Sequence, residues 1–74
     1  MPSIVSSDLS QFVLVEGRRF EIDIYRAADE DYWVLEVIND EGVSFLWDDP
    51  FATDQAALDA VLAAFENGGA AGFS

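Results

Sequence analysis

The sequence contains no cysteine, no histidine and no lysine. Without cysteine there is no disulfide, no thiolate nucleophile and no thiolate-held metal. Without histidine the chain lacks the commonest general base and the commonest transition-metal ligand. Its positive side chains are Arg18, Arg19 and Arg26, set against 15 Asp and Glu, for a formal net charge of −12. Every residue from Ala27 onward is neutral or acidic. A chain so charged repels phosphate, which excludes direct binding to DNA, RNA or an anionic membrane as a function class. No apolar run approaches the roughly 20 residues of a membrane helix, and residues 1–5 carry neither the basic region nor the apolar stretch of a signal peptide, so the expected location is cytoplasmic.

What is present is apolar. Of the 74 residues, 51% are hydrophobic and 14% aromatic, which separates this chain from acidic sequences too polar to fold. A domain this small buries roughly 60% of its unfolded surface, so it needs good packing or self-association.

The strongest local signal lies in residues 32–47. Trp33, Leu35 and Val37 alternate along one arm, and Val43, Phe45 and Trp47 along the other. Between them stands Asn39-Asp40-Glu41-Gly42, with glycine where a type I turn followed by a left-handed residue requires it. A three-residue loop over Asp40, Glu41 and Gly42 sets Val37 opposite Phe45 and Leu35 opposite Trp47, all on one face.

Upstream, Phe12-Val13-Leu14-Val15 reads as a strand and Glu16-Gly17-Arg18 as a turn. Phe20 to Tyr25 is a second strand of clean alternation. An even-length loop puts Val13, Val15, Phe20, Ile22 and Ile24 on one side. Residues 1–10 read as an arm, with Ser6-Ser7-Asp8 able to cap a short turn. Downstream, Pro50 interrupts the ladder and Thr53 is a good helix cap with Asp54 behind it. Leu58, Val61, Leu62 and Phe65 follow at helical spacing, and Asn67-Gly68-Gly69 ends the helix.

The fold expected is α+β: a four-stranded antiparallel meander (ββββα) with one C-terminal helix across one face. The domain spans residues 11–67, and residues 68–74 form a flexible tail whose Phe73 is able to fold back onto the sheet edge. The expected core is Val13, Val15, Phe20, Ile22, Ile24, Trp33, Leu35, Val37, Val43, Phe45, Trp47, Leu58, Val61, Leu62 and Phe65.

One helix covers one face. The other face mixes Phe12, Leu14, Tyr25, Val34, Ile38 and Leu46 with Arg19, Glu21, Asp23, Glu36 and Ser44. That is more apolar than a solvated face requires. It suits a monomer shielded by long side chains, a dimer paired through this face, or a heterologous partner. Carboxylates are the plentiful reactive groups. Glu21 and Asp23 stand about 6.7 Å apart on one side of their strand, and Glu36 on the neighbouring strand approaches them. Alternation on an exposed strand produces this spacing by itself, and the D-x-[DN]-x-[DN]-G calcium pattern is absent, so no metal is expected. No P-loop, dinucleotide fingerprint or G-x-S-x-G occurs, and Ser and Thr have no His or Lys to activate them. Neither a catalytic residue nor a cofactor is expected.

The functional expectation is a small acidic interaction module that binds a basic protein partner, in one form by imitating nucleic-acid charge. The candidate contacts are Glu21, Asp23, Tyr25, Glu36, Asp48 and Asp49, the last two beside Trp47 and Phe51, where a cation meets both charge and a ring. The alternative is a structural or regulatory homodimer joined through the open sheet face. Crowded carboxylates also imply folded pKa values above the unfolded ones, hence a fold strengthened by mild acid and by salt.

Overall fold

The computed structural model describes residues 3–73; Met1, Pro2 and Ser74, which belong to the expected arm and tail, lie outside the described residues. The sheet is antiparallel and contains, among the described residues, β1 (Ile4–Ser6), β2 (Gln11–Val15), β3 (Arg18–Ala27), β4 (Val34–Ile38) and β5 (Ser44–Leu46). β1 and β2 both pair with β3, and β4 and β5 follow in sequence order. The helix α1 (Asp54–Gly68) and a 3₁₀ turn (Ala70–Phe73) cover one face. This is the expected α+β antiparallel fold, with five strands rather than four, because Ile4–Ser6 joins the sheet beside β2.

The two hairpins form as their turn residues dictate. Glu16 and Gly17 both have positive φ, 54° and 80°, as a two-residue type I′ turn demands. The second turn places Gly42 at φ 83°. Its neighbour Asn39 is buried and holds that turn: its Oδ1 accepts the Glu41 and Val43 N–H groups at 2.9 Å each. Val37 pairs with Phe45, and the Trp47 N–H donates to the Leu35 carbonyl at 3.1 Å.

Both sheet edges carry an insertion. Ser6 pairs with Tyr25 and Gln11 with Ile22, so the four residues 7–10 stand against the two residues 23 and 24. The break is stitched by serines. Ser10 Oγ accepts from the Ile24 N–H at 3.0 Å and donates to the Ile24 carbonyl at 3.2 Å. Buried Ser7 donates from its hydroxyl to Asp54 Oδ2 at 2.7 Å, tying this edge to the helix start. On the other edge Trp47 is bonded to Leu35 while Phe51 bridges Trp33, so Asp48, Asp49 and Pro50 stand against Val34 alone.

Thr53 caps α1, its hydroxyl accepting from the Ala56 N–H at 3.0 Å. Gly69 ends it with φ 59° and ψ −161°, donating its N–H to the Phe65 carbonyl at 2.7 Å. The core joins Phe20, Ile22, Ile24, Leu35 and Val37 of the sheet to Ala57, Val61 and Phe65 of α1, with Ala70 and Phe73. Val13, Val15, Trp33, Phe45, Trp47 and Leu58 pack around them.

Two residues expected in the core lie outside it. Leu62 is 42% exposed. The buried stripe is centred on Ala57, Val61 and Phe65, and Leu62 sits about 100° around the helix from Val61. A small residue at Ala57 lets the helix lie on the sheet along that line. Val43 is 47% exposed because it stands beside the turn at the hairpin tip. The two ends differ from the sequence reading as well. Ile4–Ser6, read as an arm, forms a strand; Ala70–Phe73, read as tail, lies against the core. Phe73 is the hub there: its ring lies 4.9 to 6.0 Å from those of Phe20, Phe45, Trp47 and Phe65. Its carbonyl accepts from Asn39 Nδ2 at 2.9 Å, so one buried amide links the hairpin turn to the C-terminal segment.

Candidate functional site

Strand alternation turns odd-numbered β3 residues and even-numbered β4 residues away from the helix. Glu21, Asp23 and Tyr25 therefore share the open face with Val34, Glu36 and Ile38. Register brings them together: Asp23 stands directly opposite Glu36, Glu21 opposite Ile38 and Tyr25 opposite Val34. All six are half-buried by one another. Around them lie more exposed apolar side chains: Phe12 at 57%, Leu14 at 74% and Leu46 at 60%.

The Glu36 carboxylate at the centre is bonded to two hydroxyls. Tyr25 donates to Glu36 Oε1 at 3.3 Å, and Ser44 donates to Glu36 Oε2. The Asp23 carboxyl is pushed up from 3.8 to about 6, first because neighbours strip its water and then because Glu21 is hydrogen-bonded to it and charged beside it. The Tyr25 hydroxyl is also raised, by burial and then by the negative charge of Glu36. Asp40, at the hairpin turn, moves the opposite way because Arg18 binds it with two hydrogen bonds of 2.7 and 3.2 Å.

The three arginines are occupied by the fold. Arg18 pairs with Asp40. Arg19 lies over the Phe12 ring, 4.1 Å from its centroid. Arg26 lies over Trp33 at 5.2 Å and donates to the carbonyls of Ala27, Ala28 and Glu30. None reaches the Glu21–Asp23–Glu36 row by a hydrogen bond or ion pair among the described residues. Among the described residues no group of three acids is arranged to hold a metal ion.

The six residues expected at the site separate into two places. Glu21, Asp23, Tyr25 and Glu36 come together at the sheet centre. Asp48 and Asp49 are exposed on the inserted segment after β5. The aromatic neighbours expected to work with these two aspartates are turned to other tasks. Trp47 stacks towards Phe73, with ring centroids 5.8 Å apart, and Phe51 bridges Trp33 through backbone bonds of 2.8 and 2.9 Å. Asp48 instead lines a groove of about 310 Å³ with Tyr32, Val34, Leu46, Trp47 and Pro50. At the far end of the face a smaller hollow of about 230 Å³ lies among Phe12, Arg19, Glu21, Ile38, Asn39 and Asp40. The part Tyr32 and Pro50 play in the groove has no sequence motif; it follows from the looped-out Asp48-Asp49-Pro50.

No family model, curated protein or solved structure matches this chain. Among the described residues no helix is long and apolar enough to cross a membrane.

Proposed function

We infer that this chain is a small non-catalytic interaction module whose open sheet face binds a basic protein partner. The observation that carries the reading is the composition of that face: a carboxylate row, Glu21, Asp23 and Glu36, that forms no ion pair with an arginine among the described residues and is framed by exposed Phe12, Leu14 and Leu46. Apolar rim contacts supply burial, while the central acids select cations and reject anions. Tyr25 and Ser44 hold the Glu36 carboxylate in place, so part of its ordering cost is met before binding. A nucleic-acid-binding protein is one partner of the right chemistry, since its cationic groove seeks negative charge on a semi-rigid support.

The exposed apolar residues also suit a homodimer paired through this face. A two-fold arrangement presses the carboxylate rows of both copies towards each other, with Arg19 the nearest opposing charge. Charge therefore ranks the basic partner first. Light scattering separates the two readings, because a dimer has twice the 8.1 kDa chain mass.

The test is retention on an immobilised basic protein at about 50 and 500 mM salt. Retention should fall steeply with salt. The triple variant Glu21→Gln, Asp23→Asn, Glu36→Gln should lose affinity about tenfold. A control with the same net charge, Asp29→Asn, Asp59→Asn, Glu66→Gln, should lose much less. Equal losses would mean that bulk charge, not this face, does the binding, and salt-independent retention would reject the reading.

A further inference from the structure

The groove beside β5 is a product of the edge insertion. Because Asp48, Asp49 and Pro50 loop out opposite Val34, no described residue pairs with Val34 from that side, and the space is left open. Its lining is Tyr32, Val34, Leu46, Trp47, Pro50 and a single carboxylate, Asp48. The Trp47 ring is engaged with Phe73, whereas Tyr32 is 43% exposed and is free of any ring contact among the described residues.

We propose that this groove anchors an arginine side chain of the basic partner, an inference that rests on the reading of the open face given above. Each part of an arginine meets a matching wall. Its methylene stem packs on Val34, Leu46 and Pro50. Its planar guanidinium stacks on Tyr32 while its N–H fork pairs with Asp48. Lysine offers a stem and a charge but no plane to stack, so it is the poorer fit. An apolar occupant would strip water from Asp48 without pairing it, and an anion meets a chain of net charge −12.

The position of the groove also sets a spacing. Leu46 pairs with Glu36, and Glu36 with Asp23. The Asp23 carboxylate therefore stands two strand spacings away, about 10 Å across the sheet. An extended partner segment covers that distance in about three residues. A partner whose arginine fills the groove thus carries its next cation three positions along.

The experiment is a chemical-shift titration of the isotope-labelled protein at low salt with three blocked peptides. Their cores are Arg-Ala-Ala-Arg, Lys-Ala-Ala-Lys and Leu-Ala-Ala-Arg. The Arg-Ala-Ala-Arg peptide should shift Tyr32, Leu46 and the Trp47 indole and bind about fivefold tighter than the lysine peptide. Asp48→Asn and Tyr32→Ala should each weaken it about fivefold and abolish that preference, with the remaining spectrum unchanged. Shifts confined to Glu21, Asp23 and Glu36, with both variants binding as the parent does, would overturn the groove and leave the open-face reading standing. Tighter binding of the Leu-Ala-Ala-Arg peptide would make the occupant apolar and overturn the arginine. No shift with any of the three would overturn the inference together with the reading beneath it.

Discussion

Asp23 is the residue on which the open face turns. It stands opposite Glu36 and two positions from Glu21, and it is the acid whose carboxyl is pushed up to about 6. Its folded pKa lies above its unfolded one, so its stabilising contribution is complete below about pH 4 and is lost as pH rises through about 6. Urea melts should therefore show a fold that strengthens as pH falls from 7 to 4.5. Asp23→Asn should flatten that dependence and stabilise the protein at pH 7, after discounting for solvent screening, on the order of 1 kcal/mol. A flat parent profile would contradict this account. Phe73 matters for packing as Asp23 does for charge. It is 7% exposed and touches four aromatic rings. Phe73→Ala should cost about 3–5 kcal/mol, a large share of what a domain this size possesses, read as a drop in the urea midpoint. The sequence shows Phe73 as an aromatic beyond Gly68, Gly69 and Gly72, able to fold back, but not what it would meet. Its partners come from three separate elements, and no short-range pattern reports such a contact.

At the scale of elements, what is legible is what alternation and turn chemistry encode. The Asp40-Glu41-Gly42 loop, the pairing of Val37 with Phe45 and the Thr53 cap are all local and form as read, and the turn read over Glu16-Gly17-Arg18 forms one residue shorter, with Arg18 already paired to Val15. The same alternation brings Glu21, Asp23, Tyr25 and Glu36 to one face without any motif. Less legible are features set by distant partners. β1 exists because Ser7 and Ser10 carry the chain across a break in register. The helix stripe turns towards Ala57 because a small residue, invisible to a search for large apolar ones, governs the approach to the sheet. Gly69 shows how tightly these junctions are built. Its φ of 59° with ψ −161° belongs to a region open essentially to glycine, and an added Cβ would meet Glu16 Oε1 at 2.5 Å. Gly69→Ala should lower stability by about 1–3 kcal/mol, measured by urea unfolding. Shortening Glu16 to Ala in the same chain should recover the steric part of that loss and leave the backbone part.

For the whole molecule the governing quantity is a net charge of −12 held in one small domain. Self-repulsion opposes the compact state, and the one ion pair among the described residues, Arg18 with Asp40, lies at the surface and does little to offset it. Raising NaCl from about 20 to 500 mM should therefore raise the melting temperature by several degrees, equivalent to about 1 kcal/mol. Mg²⁺ or Ca²⁺ at matched ionic strength should add nothing more; a further rise specific to one of them would point to a cation site that the arrangement of acids does not provide.

The two edge insertions carry a last implication. A strand can be recruited only where a neighbour offers an unbroken row of outward N–H and C=O groups, and here the outer runs among the described residues are three, five and three residues long. The sheet is thus a poor template for copies of itself. Acid or salt that neutralises the charge should yield discrete face-paired species, and the folded protein should not seed fibres even when crowded.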